Sequence, residues 1–180
     1  MMKLKKVFIL PACLGFLCAA GVVFALDDTA AYKSCKYCGM DRTKFSHSRT
    51  LVTYDDGTVV GTCSIHCAAV ELALNIDKTP TSIEVGDYNT RKLIDASKAF
   101  WVVGGDKPGV MTKRAKWAFE SREDADAFVK ANGGGISSYD EAIKGSYEDM
   151  YADTNMIRER RKMKMMKVKA IMEQQGHKCE

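Results

Sequence analysis

The sequence has no glycine-rich loop with the spacing that cradles phosphate; its triple glycine, 133–135, follows a helical stretch and reads as a stop signal. It also lacks a Ser/His/Asp grouping, its acidic residues are dispersed, and Asp55-Asp56 belongs to a turn. Nucleotide-dependent and triad-type hydrolysis are set aside, and the chain is not read as an enzyme. Histidine is scarce, at three residues. The longest apolar run, 7–23, is about 17 residues, short of the ~20 that a spanning helix needs. A strong excess of one charge is missing too. The formal net charge is +4, but three lysines lie in the first six residues, and the chain without them is near +1. A near-neutral, exported chain is a poor fit to nucleic acid.

What is present begins with an export signal. Residues 1–25 combine those three lysines, the apolar run and Val23-Phe24-Ala25, a small residue before Leu26-Asp27-Asp28. A cleaved signal implies a periplasmic protein. A lipid anchor is the weaker reading, since Leu10-Pro11-Ala12-Cys13 leaves too short an apolar segment and Leu17 precedes Cys18.

Cleavage removes Cys13 and Cys18 and leaves Cys35, Cys38, Cys63, Cys67 and Cys179. Thiols that stay functional in an oxidising compartment are ligated or exchanging. The plain alternative is two disulfides and a leftover Cys179, and the odd count makes such a framework incomplete.

Residues 49–54 and 58–63 read as a β-hairpin around Asp55-Asp56-Gly57. Ser64 opens a helix with Cys67 at its third position and apolar residues at Ala68, Val70, Leu72 and Leu74; Asn75 ends it. Residues 82–88 read as a strand. The plan recurs: strands at 99–103 and 116–119, a helix opened by Ser121 and stopped by Asn132-Gly133, and a strand at 136–139. The two serines lie 57 positions apart. The predicted fold is α+β, two consecutive ββαβ units with mostly antiparallel strands (32–90, carrying the thiol motifs, and 91–147) plus a C-terminal basic helix.

The tail, 148–180, is Met-rich. From residue 153 it carries 8 basic against 4 acidic residues, whereas 26–152 carries 16 against 19. It reads as helical up to Gly176, with Met156, Met163 and Met166 as one stripe, lying on the core, a partner or an anionic membrane surface. The alternative joins its methionines to His177 and Cys179 as an auxiliary copper-handling segment.

Cys35-Lys36-Tyr37-Cys38-Gly39-Met40 packs two thiols and a thioether into six residues, and Cys63 and Cys67 follow across a strand-to-helix corner. Soft sulfur donors select Cu(I), Zn²⁺ or an iron–sulfur cluster. Four thiolates would satisfy a closed tetrahedral zinc site, as a structural or heavy-metal module. Met40 favours copper, or else simply packs in the core. Cys67, at a helix N-terminus, is read as more thiolate-like than Cys63. His66 is read as a helix-surface residue favouring nearby thiolates, and His47 as solvated. A thiol redox protein stands third, because no strand precedes the Cys35–Cys38 motif and neither pair has the expected fold context.

Cys38-Gly39-Met40, then 100–104, a loop carrying Met111, and the run from Trp117 through Phe128 to the glycines together resemble the nitrous oxide reductase accessory protein family, NosL, over roughly 32–145. The resemblance implies two ββαβ units, in agreement with the repeat read independently. It also implies an exported, usually lipid-anchored Cu(I) chaperone that helps to metallate a copper enzyme. The family's Cys-x-Met pair falls on Cys38 and Met40, and its later methionine on Met111. Partners implied are a client copper enzyme or a copper transporter. Cys35, Cys63 and Cys67 exceed that minimal site; they enrich it or bridge. Cys38 with Cys63-x-x-x-Cys67 also resembles the cysteine pattern of TRASH-type metal-binding modules.

Overall fold

The structure, a computed structural model, describes residues 28–174. The export signal expected at residues 1–25 lies outside the described residues, as do His177 and Cys179. After a short helix α1 (Asp28–Ala31), the first unit runs β1 (Thr50–Tyr54), β2 (Val59–Thr62), α2 (Ile65–Leu74) and β3 (Pro80–Gly86), followed by β4 (Leu93–Asp95). The second runs β5 (Phe100–Val103), β6 (Lys116–Phe119), α3 (Arg122–Asn132) and β7 (Gly135–Ser137). Both sheets are antiparallel, ordered β2-β1-β3-β4 and β6-β5-β7. In each unit the first strand is paired on both sides, by its hairpin partner and by the strand after the helix. The fold is α+β, and the strand–strand–helix–strand order occurs twice.

The hairpin follows the turn chemistry. Gly57 takes φ 80°, a left-handed conformation that its missing side chain permits, and the Tyr54 N–H bonds the Thr58 carbonyl. β4 was not read in the sequence: three residues carry no period, and their extension is set by pairing, Val85 opposite Ile94.

The two helix starts differ. The Ser121 side chain accepts from the Asp124 N–H at 3.1 Å, whereas the Ser64 side chain caps nothing. The buried face of α2 also departs from the apolar pattern: Leu74 is 67% exposed, while His66 and Glu71 are buried. The chain buries Glu71 because four side-chain donors converge on it.

The units join through the buried Asp87. Its Oδ2 accepts from the Glu120 N–H at 2.9 Å, its Oδ1 from the Thr90 N–H and hydroxyl, and the Tyr88 N–H bonds the Ala118 carbonyl. Trp101, with its indole N–H on the Ala96 carbonyl, packs with Ile65, Val85, Ala118 and Ala142 where the units meet.

α4 (Tyr139–Gln174) begins before the tail read from the sequence. Ser138 opens it in a capping box: the Glu141 N–H donates to the Ser138 hydroxyl, and the Glu141 carboxylate accepts from the Ser138 N–H. Ala142, Gly145, Ser146 and Asp153 are buried, and α4 packs chiefly against α2. From Arg158 to Gln174 every described residue is exposed. Only its first turn, at Arg160 and Arg161, lines a cavity with core residues, and the apolar residues of the tail are not confined to the stripe of Met156, Met163 and Met166. Met165, Val168 and Met172 form a further apolar face with Lys164 and Lys169. No helix of the described residues is long and apolar enough to cross a membrane.

Candidate metal centre

The segment before β1 is a small hairpin closed on itself. Ser34 bridges Asp41, the Cys35 N–H donates to the Met40 carbonyl at 2.8 Å, and the Gly39 N–H to the Cys35 carbonyl at 3.0 Å. Gly39 sits at φ 72°, which lets the chain reverse between Cys38 and Met40. Two buried groups fix this hairpin to the sheet. Arg42, with 0% exposure, donates to the carbonyls of Tyr32, Thr50 and Thr62 and to Asp28 Oδ2 at 2.6 Å. Arg49 binds the other face of Asp28 at 2.7 Å. The stretch from Arg42 to Ser48, polar in sequence, therefore holds a structural staple.

Lys36 and Tyr37, the residues between the two cysteines, both reach Glu71 on α2. Lys36 Nζ is 2.9 Å from Oε2, the Tyr37 hydroxyl donates to the same oxygen at 2.5 Å, and the Tyr54 hydroxyl to Oε1 at 3.2 Å. Glu71 lies one turn after Cys67, so this network sets the hairpin's thiols against those of the β2–α2 corner.

The result is a cluster. The sulfurs of Cys35, Cys38, Cys63 and Cys67 all lie within 4.8 Å of one another. Cys38 and Cys63 are 3.4 Å apart, and Cys63 and Cys67 are 3.8 Å apart. Tetrahedral zinc with Zn–S of about 2.3 Å needs sulfurs about 3.8 Å apart, so the donors present fit a soft metal ion. All four are free thiols, and the two-disulfide alternative is not found among them. Cys35, Cys63 and Cys67 are 3%, 0% and 1% exposed; Cys38 is half-buried.

The four thiols shift one another's acidity through the hydrogen bonds among their sulfurs. Hydrogen bonding to Cys38, Cys63 and Cys67 pulls the Cys35 thiol far down. Cys38 is pushed up by Cys35 but pulled down by Cys63 and Cys67, and lies at about 7. Cys63 and Cys67 are pushed up, chiefly by hydrogen bonding to Cys35. Both thiols of the β2–α2 pair are shifted in the same direction, so their order is not set by these contacts.

Cys38 opens onto a cavity of about 530 Å³ lined also by Met40, Phe45, His47, Gly109 and Met111. Met40 and Met111 pack against the same hydrophobic cluster as the cysteines. Met111 takes φ 62°, in the left-handed region; among the described residues Arg91 is the other non-glycine residue with positive φ. Such backbone costs of order 1–3 kcal/mol and persists where surroundings over-determine it. The surroundings here are α4. Asp153 accepts from the Lys113 N–H at 3.0 Å, and Arg114 and Lys116 both bind Asp149 at 2.8 Å.

The six sulfur residues read from the sequence thus fall into a four-thiol cluster and a cavity wall of Cys38, Met40 and Met111. His47 is not simply solvated: its ring lies 5.5 Å from that of Trp117 and lines the cavity. His66 is not on the helix surface. It is buried with Nδ1 3.5 Å from Asp153 Oδ2, and burial pushes its pKa down. Ile157, Arg160 and Arg161 of α4 close the far side of the cavity. Sequence reasoning missed them because it treated the tail as a separate object; the Ser138-x-x-Glu141 capping box was the signal for an earlier helix start.

Among solved structures, the chain is similar to the crystal structure of the copper chaperone NosL from Shewanella denitrificans. The identity is 23% and the TM-score 0.49, over 60% of this chain and 87% of that one. No curated protein matches. A family model, NosL, matches residues 27–147, more than half of the chain and both ββαβ units, and the chain belongs to the NosL family.

Proposed function

We propose that this protein is an exported Cu(I)-binding accessory protein of the periplasm, which takes up copper as cargo and passes it to a copper enzyme without catalytic turnover. The observation that carries the reading is the cavity wall. Cys38 and Met40 from the first unit and Met111 from the second line one opening. Zinc has little use for thioethers, whereas Cu(I) accepts them. A site with two thioether donors at an open cavity suits an ion that must leave again. The client implied by the family is nitrous oxide reductase; a copper transporter would act as donor. The exposed half of α4 carries seven basic and two acidic residues and presents methionines, a composition suited to an anionic membrane surface near such partners.

The test is anaerobic Cu(I) competition on the purified mature chain. Wild type should hold Cu(I) tightly, and Cys38→Ala and Met40→Leu should each weaken it at least tenfold. Unchanged affinity in both variants would sink the reading.

A second reading is favoured by the four-thiol cluster itself, whose sulfur spacing suits structural zinc. Metal analysis of protein purified without added copper separates the two. Chelator-resistant zinc that is required for folding supports the second.

A further inference from the structure

The four thiols and the two thioethers share one sulfur. Cys38 belongs to the cluster with Cys35, Cys63 and Cys67 and also to the cavity wall with Met40 and Met111. We propose that the six donors form one array with two adjacent Cu(I) positions bridged by the Cys38 sulfur. The outer position is made by Cys38, Met40 and Met111, and the inner one by Cys35, Cys63, Cys67 and Cys38. The proposal rests on the copper reading above.

The array has depth. Cys38 is half-buried at the cavity, and behind it the other three thiols are all but sealed from solvent. An ion entering from the cavity meets the thioethers and Cys38 first. The 3.4 Å between Cys38 and Cys63 gives it a neighbouring thiol onto which to move. A thiolate has more than one lone pair and can bind two ions at once. A single tetrahedral zinc would be satisfied by the four thiolates and leave both thioethers unused, whereas Cu(I) accepts thiolate and thioether sulfur alike. The two thioethers beside Cys38 therefore favour two coppers over one zinc.

Charge points the same way. Four thiolates around a single Cu(I) leave a net charge of about −3 in a largely buried site, and a second Cu(I) lowers this to about −2. Arg160 and Arg161 on the far wall of the cavity face the remainder. Each thiol that ligates gives its proton to solvent, and copper stays Cu(I) throughout, so no oxidant or reductant is required. The inner ion makes the outer one the exchangeable cargo, since it is held by thioethers and half of a thiolate.

The experiment is anaerobic titration of the mature chain with Cu(I) against a colorimetric chelator, with copper X-ray absorption at each equivalent. Wild type should take up about two Cu(I), and the second equivalent should bring a short copper–copper scattering path. Met40→Leu/Met111→Leu should take up about one, bound by sulfur at thiolate distances, with no such path. Cys67→Ser should also fall to about one, with thioether ligation kept. A wild-type stoichiometry of one without a copper–copper path overturns the proposal, and does so whether or not Cys67→Ser folds. Zinc retained by the inner thiols while copper loads outside overturns it as well. If that single copper is lost in Cys38→Ala or Met40→Leu, the function proposed above still stands. No tight copper at all ends both.

Discussion

Asp153 of α4 accepts a hydrogen bond from the main-chain N–H of Lys113 at 3.0 Å, two residues after Met111. A helix that is remote in sequence thus holds the loop carrying a candidate copper donor. Asp153→Ala should cost about 1–3 kcal/mol in chemical denaturation and weaken Cu(I) binding severalfold, although Asp153 is no part of the sulfur array. Equal copper affinity in variant and wild type would show that the loop holds its shape without α4.

Met111 carries the cost of a left-handed backbone, φ 62°. Met111→Gly should leave apo stability within about 1 kcal/mol of wild type, because relief of strain offsets the lost half-buried side chain. Met111→Val, with a β-branched residue where φ is positive, should destabilise by more than that. Both should weaken copper binding. Thermal unfolding of the apo proteins beside Cu(I) competition checks the pair; a stable Val variant refutes the strain argument.

Glu71 ties Lys36 and Tyr37 to the helix that carries Cys67. Glu71→Ala removes the shared acceptor of two tyrosine hydroxyls and should cost about 2–4 kcal/mol. Glu71→Gln keeps one acceptor oxygen and should recover part of that loss. Metal affinity should follow the same order, which urea titration and chelator competition can measure together.

The Cys38 and Cys63 sulfurs are 3.4 Å apart. Treatment with a thiol oxidant such as diamide should join them first, with loss of two protons and two electrons to the oxidant. Peptide mapping should find this pair, and dithiothreitol should restore copper uptake. Cu(I)-loaded protein should resist the oxidation, and an equal rate with and without copper would contradict ligation by these thiols.

Asp28 links the staple to pH. Burial pushes its carboxyl up, but the hydrogen bonds and charges of Arg49 and Arg42 outweigh burial, and the net shift is downward. A carboxyl with a depressed folded pKa contributes stability that is present above its unfolded value, about 3.9, and that is lost as pH falls through the folded value. Stability of the wild type should therefore decline below about pH 4. Asp28→Asn should be less stable at pH 7 and show a flatter acid limb. Parallel acid limbs would remove Asp28 from the account.

The repeat was legible because it is local. Turn residues at 55–57, the serines at 64 and 121 and the glycines at 133–135 announce strands and helices within a few residues of themselves. Glu71, Arg42 and His66 were misplaced or passed over for the opposite reason. Charged residues read as surface until a fold brings partners to them, and apart from Asn75, four positions from Glu71, those partners lie 8 to 87 positions away.

Sulfur content and the order of elements are properties of the chain itself, and so a soft donor set and the twofold ββαβ plan follow from the sequence by itself. Which sulfurs meet is a matter of tertiary structure. Cys35 and Cys67 come together because Glu71 and Arg42 dock a hairpin on a helix. Met111 reaches the cavity wall with Cys38 because α4 holds its loop. Side-chain distances across those contacts depend on packing between elements far apart in sequence, and no local pattern encodes them.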